Sequence, residues 1–173
     1  MGSFSKILAP ALRLGWMVIT EALRDKLTVI KESYDLETSA FIQRAVSAFL
    51  DAGYLPDHLH RLRAAYKERR DTMLAALTRE FPIQARWSKP LGGMFIWVEL
   101  PQEIDSTRLL LQAVEVEKVA FIPGSAFEVS SGSAGSSSGT WADRCMRLNF
   151  TNCSPELINQ GIGRLGNLLH RQI

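Results

Sequence analysis

The sequence predicts an α/β fold, with an α+β arrangement over its C-terminal part. Three observations carry this. Helical spacing and strand alternation take turns along the chain, and from residue 56 on the order is helix, strands, helix, strand, strand, helix. The chain has 173 residues, 46% hydrophobic and 22% charged, an ordinary balance for a globular protein. No apolar run approaches the roughly 20 residues of a membrane helix. The net charge of +2 is too small to argue for nucleic acid or a membrane surface. Cys145 and Cys153 read as small buried hydrophobes with free thiols, which fits a reducing cytoplasm.

The elements follow in order. Residues 1–6 read as a loop, and Pro10 prevents a helix from running through it. Leu14–Thr20 is an apolar run expected to be a buried strand. Glu21–Tyr34 holds a short helix, with Leu23, Leu27 and Ile30 at helical spacing. Asp35–Ala52 is a clearer one, with Phe41, Ala45, Ala48 and Phe49 on one face and Gly53 as its stop. A long helix is expected over about 58–80, capped by Asp57 and buried through Leu59, Leu62, Tyr66, Met73 and Leu77. Its basic run, Arg61 to Arg70, is interrupted by Glu68 and reads as a solvated face rather than a nucleic-acid stripe. Arg70 falls near the apolar stripe and is either packed or paired.

Phe81-Pro82 ends that helix. Ile83–Trp87 and Met94–Leu100 are strands joined across Ser88–Gly93. In the second, Met94, Ile96, Val98 and Leu100 face one way and Phe95, Trp97 and Glu99 the other. Ser106 is expected to cap a helix to Lys118. Val119–Ile122 is a short strand broken by Pro123-Gly124. Residues 130–140, rich in serine and glycine, are expected to form a mobile loop. Cys145–Thr151 is a strand that alternates apolar Met146, Leu148 and Phe150 with Cys145, Arg147 and Asn149. Ser154 caps a last helix from Pro155 to about Leu169, with proline at its first position.

The chemistry concentrates at the start, in Gly2-Ser3-Phe4-Ser5-Lys6-Ile7-Leu8-Ala9-Pro10-Ala11-Leu12-Arg13-Leu14-Gly15-Trp16. Lys6 and Arg13 are its only charges. A lysine amine with a lowered pKa condenses with carbonyls. An arginine fork and hydroxyls suit a phosphate dianion. Pyridoxal 5'-phosphate (PLP), an aldehyde bearing a phosphate, requires both together. Arg147 is the other exceptional residue: a cation projecting from an apolar strand needs an anion. The plain alternatives are a surface lysine for Lys6 and structural salt bridges for Arg13 and Arg147. His58, His60 and His170 show no metal-ligand spacing with the cysteines, so no metal site is expected.

The lysine stretch resembles the cofactor-lysine segment of class I/II PLP-dependent aminotransferases. Pro90-Leu91-Gly92-Gly93-Met94-Phe95-Ile96-Trp97-Val98-Glu99-Leu100, Phe121-Ile122-Pro123-Gly124-Ser125-Ala126-Phe127 and Met146-Arg147-Leu148-Asn149-Phe150 match the same family in the same order. The subgroup of 2-aminoadipate and kynurenine aminotransferases looks nearest, and the aminotransferase-like domains of GntR-type regulators look similar. Ile7 stands where the family often has threonine, and Ala11 where it often has glycine. In the family the lysine lies past the middle of the chain, and here it is residue 6. The chain therefore resembles a C-terminal half, without the aspartate for the pyridine nitrogen or the aromatic that stacks on the ring.

The resemblance implies a PLP-dependent transferase-like fold. Residues 1–55 would be the tail of a doubly wound large domain and 56–173 a small α+β domain. It implies that Lys6 carries PLP as a Schiff base and then moves the substrate proton. Ser3, Ser5 and Arg13 would bind the phosphate, and Arg147 the substrate carboxylate. Gly92, Gly93 and Pro123–Phe127 would line the pocket. The activity would be exchange of an amino group between an α-amino acid and a 2-oxo acid such as 2-oxoglutarate, in a cytoplasmic homodimer. This chain alone is expected to turn over little or not at all. The alternative is a non-catalytic effector module of a PLP-sensing regulator; a product that only folds or pairs with a partner is a third reading.

Overall fold

A computed structural model of the chain describes residues 1–128 and 140–173. The serine- and glycine-rich stretch expected to be mobile lies outside the described residues, except for Thr140. The chain divides into two compact units, Met1–Ala64 and Ala65–Ile173.

The first unit opens with β1 (Gly2–Ser3), which pairs antiparallel with β2 (Gly15–Trp16), Gly2 opposite Trp16 and Ser3 opposite Gly15. This pair closes the loop 4–14, which contains a short 3-10 turn at Pro10–Leu12. The helices α1 (Glu21–Asp35) and α2 (Ala40–Asp51) follow. Ser39 caps α2 by accepting from the Ile42 amide at 3.5 Å. That serine is why α2 begins later than apolar spacing alone suggests. The buried strand expected over Leu14–Thr20 is only two residues long, and Trp16, Met17 and Val18 are exposed. An apolar run marks where burial would be favourable. A strand also needs neighbours for its backbone, and among the described residues β1 is the only one. Likewise Phe41, expected on the buried face of α2, is 77% exposed, and Val46 is the buried residue there.

The division between units falls within α3 (Leu55–Glu80). Its start precedes Asp57, which sits in the first turn rather than at the cap. The second unit contains a four-stranded antiparallel sheet in the order β3-β4-β6-β5. Its strands are β3 (Arg86–Trp87), β4 (Phe95–Glu99), β5 (Ile122–Pro123) and β6 (Cys145–Asn149). Pro123 therefore belongs to the strand it was expected to break; β5 lies at an edge, where a missing N–H is tolerated. Between them runs α4 (Ser106–Gln112), continued by a π-turn at Ala113–Glu117, and α5 (Pro155–His170) ends the chain. Asp105, not Ser106, caps α4, accepting from the amides of Thr107 and Arg108 at 2.8 and 3.1 Å.

The core follows the alternation read from β4 and β6. Ile96, Val98, Met146 and Leu148 are buried against Met73 and Leu77 of α3, Leu109 of α4, and Ile162 and Leu165 of α5. Gly166 lets α5 approach the end of α3, because a Cβ there would overlap the Glu80 carbonyl oxygen. The opposite face of the sheet presents Phe95, Trp97 and Arg147, with Trp97 paired directly to Arg147 in register. Arg70 is paired: it donates to Asp71 at 2.6 Å and to the Pro90 carbonyl at 3.1 Å. No helix among the described residues is long and apolar enough to cross a membrane.

Candidate active site

The loop 4–14 has a hydrogen-bonded backbone. The Phe4 amide donates to the Leu14 carbonyl at 3.0 Å, just beyond the β1–β2 pair. The Phe4 carbonyl accepts from the amides of Ile7 (3.3 Å) and Leu8 (2.8 Å) and so folds residues 4–8 into a tight turn. The Ser3 hydroxyl oxygen accepts from the Ser5 amide at 3.1 Å. Lys6 stands on this turn with an exposed side chain, and no hydrogen bond or ion pair engages its amine among the described residues.

Arg13 closes the 3-10 turn in the left-handed region, at φ 49°. Such backbone costs a non-glycine residue about 1 kcal/mol or more and tends to be kept where function needs it. The Arg13 guanidinium is exposed and donates to the Pro10 carbonyl at 3.1 Å. The structure thus collects Ser3, Ser5, Lys6 and Arg13 on one loop and its closing strands. The donor set fits PLP: an unengaged primary amine for the aldehyde, and two hydroxyls and a guanidinium for the phosphate. No carboxylate lies between Gly2 and Trp16 to compete for either cation.

Arg147 belongs to the second unit, on the sheet face away from the core. Its guanidinium carbon lies 4.0 Å from the centroid of the Phe95 ring and 4.6 Å from that of Phe127. Its Nε is buried without a hydrogen-bond partner among the described residues. The negative ring faces offset part of the cost of withdrawing the charge from water. They cannot accept its N–H groups as an oxygen would, so the fork is primed for an anion. Trp97 packs against Phe127 (centroids 5.5 Å) and Trp141 (6.0 Å), which extends the aromatic wall around the arginine.

Cys145 has its thiol pushed above the ordinary 9.0 by burial, and the thiol donates to the Trp141 carbonyl at 3.2 Å. Gly124 is buried where a Cβ would overlap the Ala142 carbonyl oxygen, so the Pro123–Phe127 segment seats Phe127 only with glycine there. Gly92 and Gly93, by contrast, are exposed, and Gly93 turns the chain at φ 85°. Among the described residues no group of His, Cys, Asp and Glu is arranged to hold a metal.

The profile of the family described as Aminotransferase class I and II matches residues 1–165. The chain belongs to that family. The chain is 39% identical over 173 residues to aromatic-amino-acid aminotransferase 1 of Thermococcus litoralis, covering all of this chain and 39% of the relative. A solved structure of Pyrococcus horikoshii kynurenine aminotransferase, in complex with PMP and substrates, superposes with a TM-score of 0.86 at 41% identity, covering 98% of this chain and 40% of that one. The Thermus thermophilus α-aminoadipate aminotransferase LysN, complexed with N-(5'-phosphopyridoxyl)-L-leucine, superposes with a TM-score of 0.87 at 36% identity, with 98% and 41% covered. A shorter match, 35% over 124 residues, is to the HTH-type transcriptional regulator NorG of Staphylococcus aureus. The chain spans about two fifths of the length of the aminotransferases it matches.

The stacking of Phe95 and Phe127 on Arg147 is a feature that the sequence reading misses. Alternation does place Phe95 and Arg147 on alternate positions of their own strands. Which rings flank the guanidinium depends on the β4–β6 register, Trp97 opposite Arg147, and that is not written in either strand alone.

Proposed function

We propose that this chain is the lysine-bearing C-terminal part of a PLP-dependent aminotransferase. The whole enzyme exchanges an amino group between an α-amino acid and a 2-oxo acid such as 2-oxoglutarate. The observation that carries the reading is the unengaged Lys6 amine on a loop whose backbone is pinned and whose other polar side chains are phosphate donors. Met1 to about residue 55 is the end of the large cofactor-binding domain, and the rest is the small domain.

PLP, when bound, supplies an aldehyde and an electron-withdrawing ring. The chain's residues do the rest. Lys6 would hold the cofactor through its amine, and the freed amine would move a proton between the substrate Cα and C4' of the cofactor. Arg13 with Ser3 and Ser5 would hold the phosphate. Arg147 grips the α-carboxylate through its forked donors and so orients the Cα–H bond. The reading carries a homodimer in the cytoplasm with it. An effector module of a regulator rests on less, since that match is shorter, and a winged-helix segment upstream in the full protein would favour it.

Titration of the chain with PLP, followed by absorbance, tests the reading. A saturable band that Lys6→Ala abolishes supports it. A response identical in the Lys6→Ala variant contradicts it. The chain alone is expected to show negligible transamination, and a rate like that of a complete aminotransferase would refute that part.

A further inference from the structure

His58 has no part in the roles assigned so far. It sits in the first turn of α3, half-buried, with its ring held by Phe49 in an edge-on contact at 6.1 Å and 88°. Phe49 in turn packs on Tyr54 at 5.7 Å. The His58 Nε2 lies 2.9 Å from the Ile7 carbonyl oxygen, a contact across 51 residues of sequence. A carbonyl only accepts, so Nε2 carries the hydrogen and donates. Both the cationic ring and the neutral ring with its proton on Nε2 can do this.

The Ile7 carbonyl belongs to the peptide unit that joins Ile7 to Leu8. The other end of that unit, the Leu8 amide, donates to the Phe4 carbonyl at 2.8 Å. The peptide unit one residue beyond Lys6 is therefore fixed at both ends, and His58 supplies the bond at the carbonyl end. Phe4 is fixed in turn by its amide bond to Leu14. Without His58, the turn that presents Lys6 is closed only on one side, by bonds within itself.

We propose that His58 is a positioning residue for Lys6: its Nε2–H clamps the Ile7 carbonyl and sets the backbone from which the lysine amine projects. The proposal rests on the reading of Lys6 as the cofactor lysine. It assigns His58 no contact with the cofactor and no proton-transfer role. The neighbouring His60 is exposed and has no such bond among the described residues, so the two histidines differ despite their spacing.

Two variants of the full chain separate the bond from the ring. His58→Phe keeps a ring against Phe49 and removes the donor. His58→Gln keeps a donor of similar reach and removes the ring. Amide hydrogen exchange at Leu8 reports the turn directly. The rate at which PLP and borohydride label Lys6, read by peptide mapping, reports the presentation of the amine.

His58→Phe is expected to speed Leu8 exchange and slow Lys6 labelling, each by about five- to tenfold, the usual weight of one such bond. His58→Gln is expected to restore most of both. Exchange and labelling both unchanged in His58→Phe overturn the proposal and leave the cofactor reading standing. Faster exchange with unchanged labelling makes His58 a fold tether only and overturns the positioning role. Label that misses Lys6 in the unaltered chain overturns the cofactor reading itself, and His58's role toward the lysine with it.

Discussion

At Arg147, two aromatic rings stand where an ordinary structural salt bridge would place a carboxylate. Phe95 and Phe127 cover the guanidinium and leave Nε without an oxygen. Replacing Phe95 by leucine should cost about 1 kcal/mol in urea unfolding beyond the loss of buried area, from the cation–π contact alone. An equal loss in an Arg147→Met background would show that the ring packs elsewhere. Cys145 supports a pH argument. Its thiol pKa is raised in the folded chain, so the unfolded chain releases that proton first as pH rises. The contribution to stability is whole below pH 9.0 and is lost as pH climbs from there through the folded value. Thiol labelling at pH 8 should find Cys153 accessible and Cys145 protected until the chain unfolds. Rapid labelling of both would contradict the burial.

At the scale of elements, the sequence is most legible where periodicity meets a partner inside the chain. The alternation of β4 and β6 and the Ser154-Pro155 start of α5 are found as read. It is less legible where two caps compete. Ser106 has the chemistry of a cap, yet Asp105 accepts both free amides, and the Ser106 hydroxyl is buried with no partner among the described residues. A carboxylate two atoms from the backbone reaches the amides of the next turn; once it does, the serine belongs to the helix. Asp105→Ala should therefore cost about 1 kcal/mol, while Ser106→Ala should be neutral or stabilising. Chemical denaturation of both variants decides between the two caps. The glycines of α5 make a second contrast. Gly166→Ala places a Cβ on the Glu80 carbonyl and should destabilise by about 1–3 kcal/mol despite the better helix former. Gly163→Ala meets nothing nearer than 4.0 Å and should gain up to about 1 kcal/mol. Equal effects from the two glycines would mean that α3 and α5 are not in close contact at Glu80.

Across the whole molecule, burial is uneven. The second unit has a closed core around Ile96, Val98, Met146 and Leu165. The first unit leaves Trp16, Met17, Val18, Ile30, Tyr34 and Phe41 between 52% and 90% exposed. An open groove of about 590 Å³ among Met1, Trp16, Met17, Ile19, Leu27 and Ile30 is mostly apolar. This is where the sequence misleads: the pattern of Leu14–Thr20 encodes burial, yet among the described residues only β1 pairs with β2 and Trp16, Met17 and Val18 stay exposed. The lysine loop is legible because its chemistry is local, with an amine, two hydroxyls and an arginine inside one short stretch. Exposed apolar side chains gathered around one groove make a surface prone to association. The isolated chain should therefore self-associate, and light scattering that shows a monodisperse monomer at high concentration would contradict this.

Lys6 is proposed as the nucleophile of a cofactor site on the loop 4–14, whose backbone is already hydrogen-bonded. The most direct measurement is reduction of the PLP-treated chain with borohydride, followed by mass mapping of every lysine. Label is expected to concentrate on Lys6 over Lys26, Lys31, Lys67, Lys89 and Lys118, and to be lost when Arg13→Gln weakens the phosphate contacts. Label spread evenly over the exposed lysines, or unchanged at Lys6 in Arg13→Gln, would contradict it.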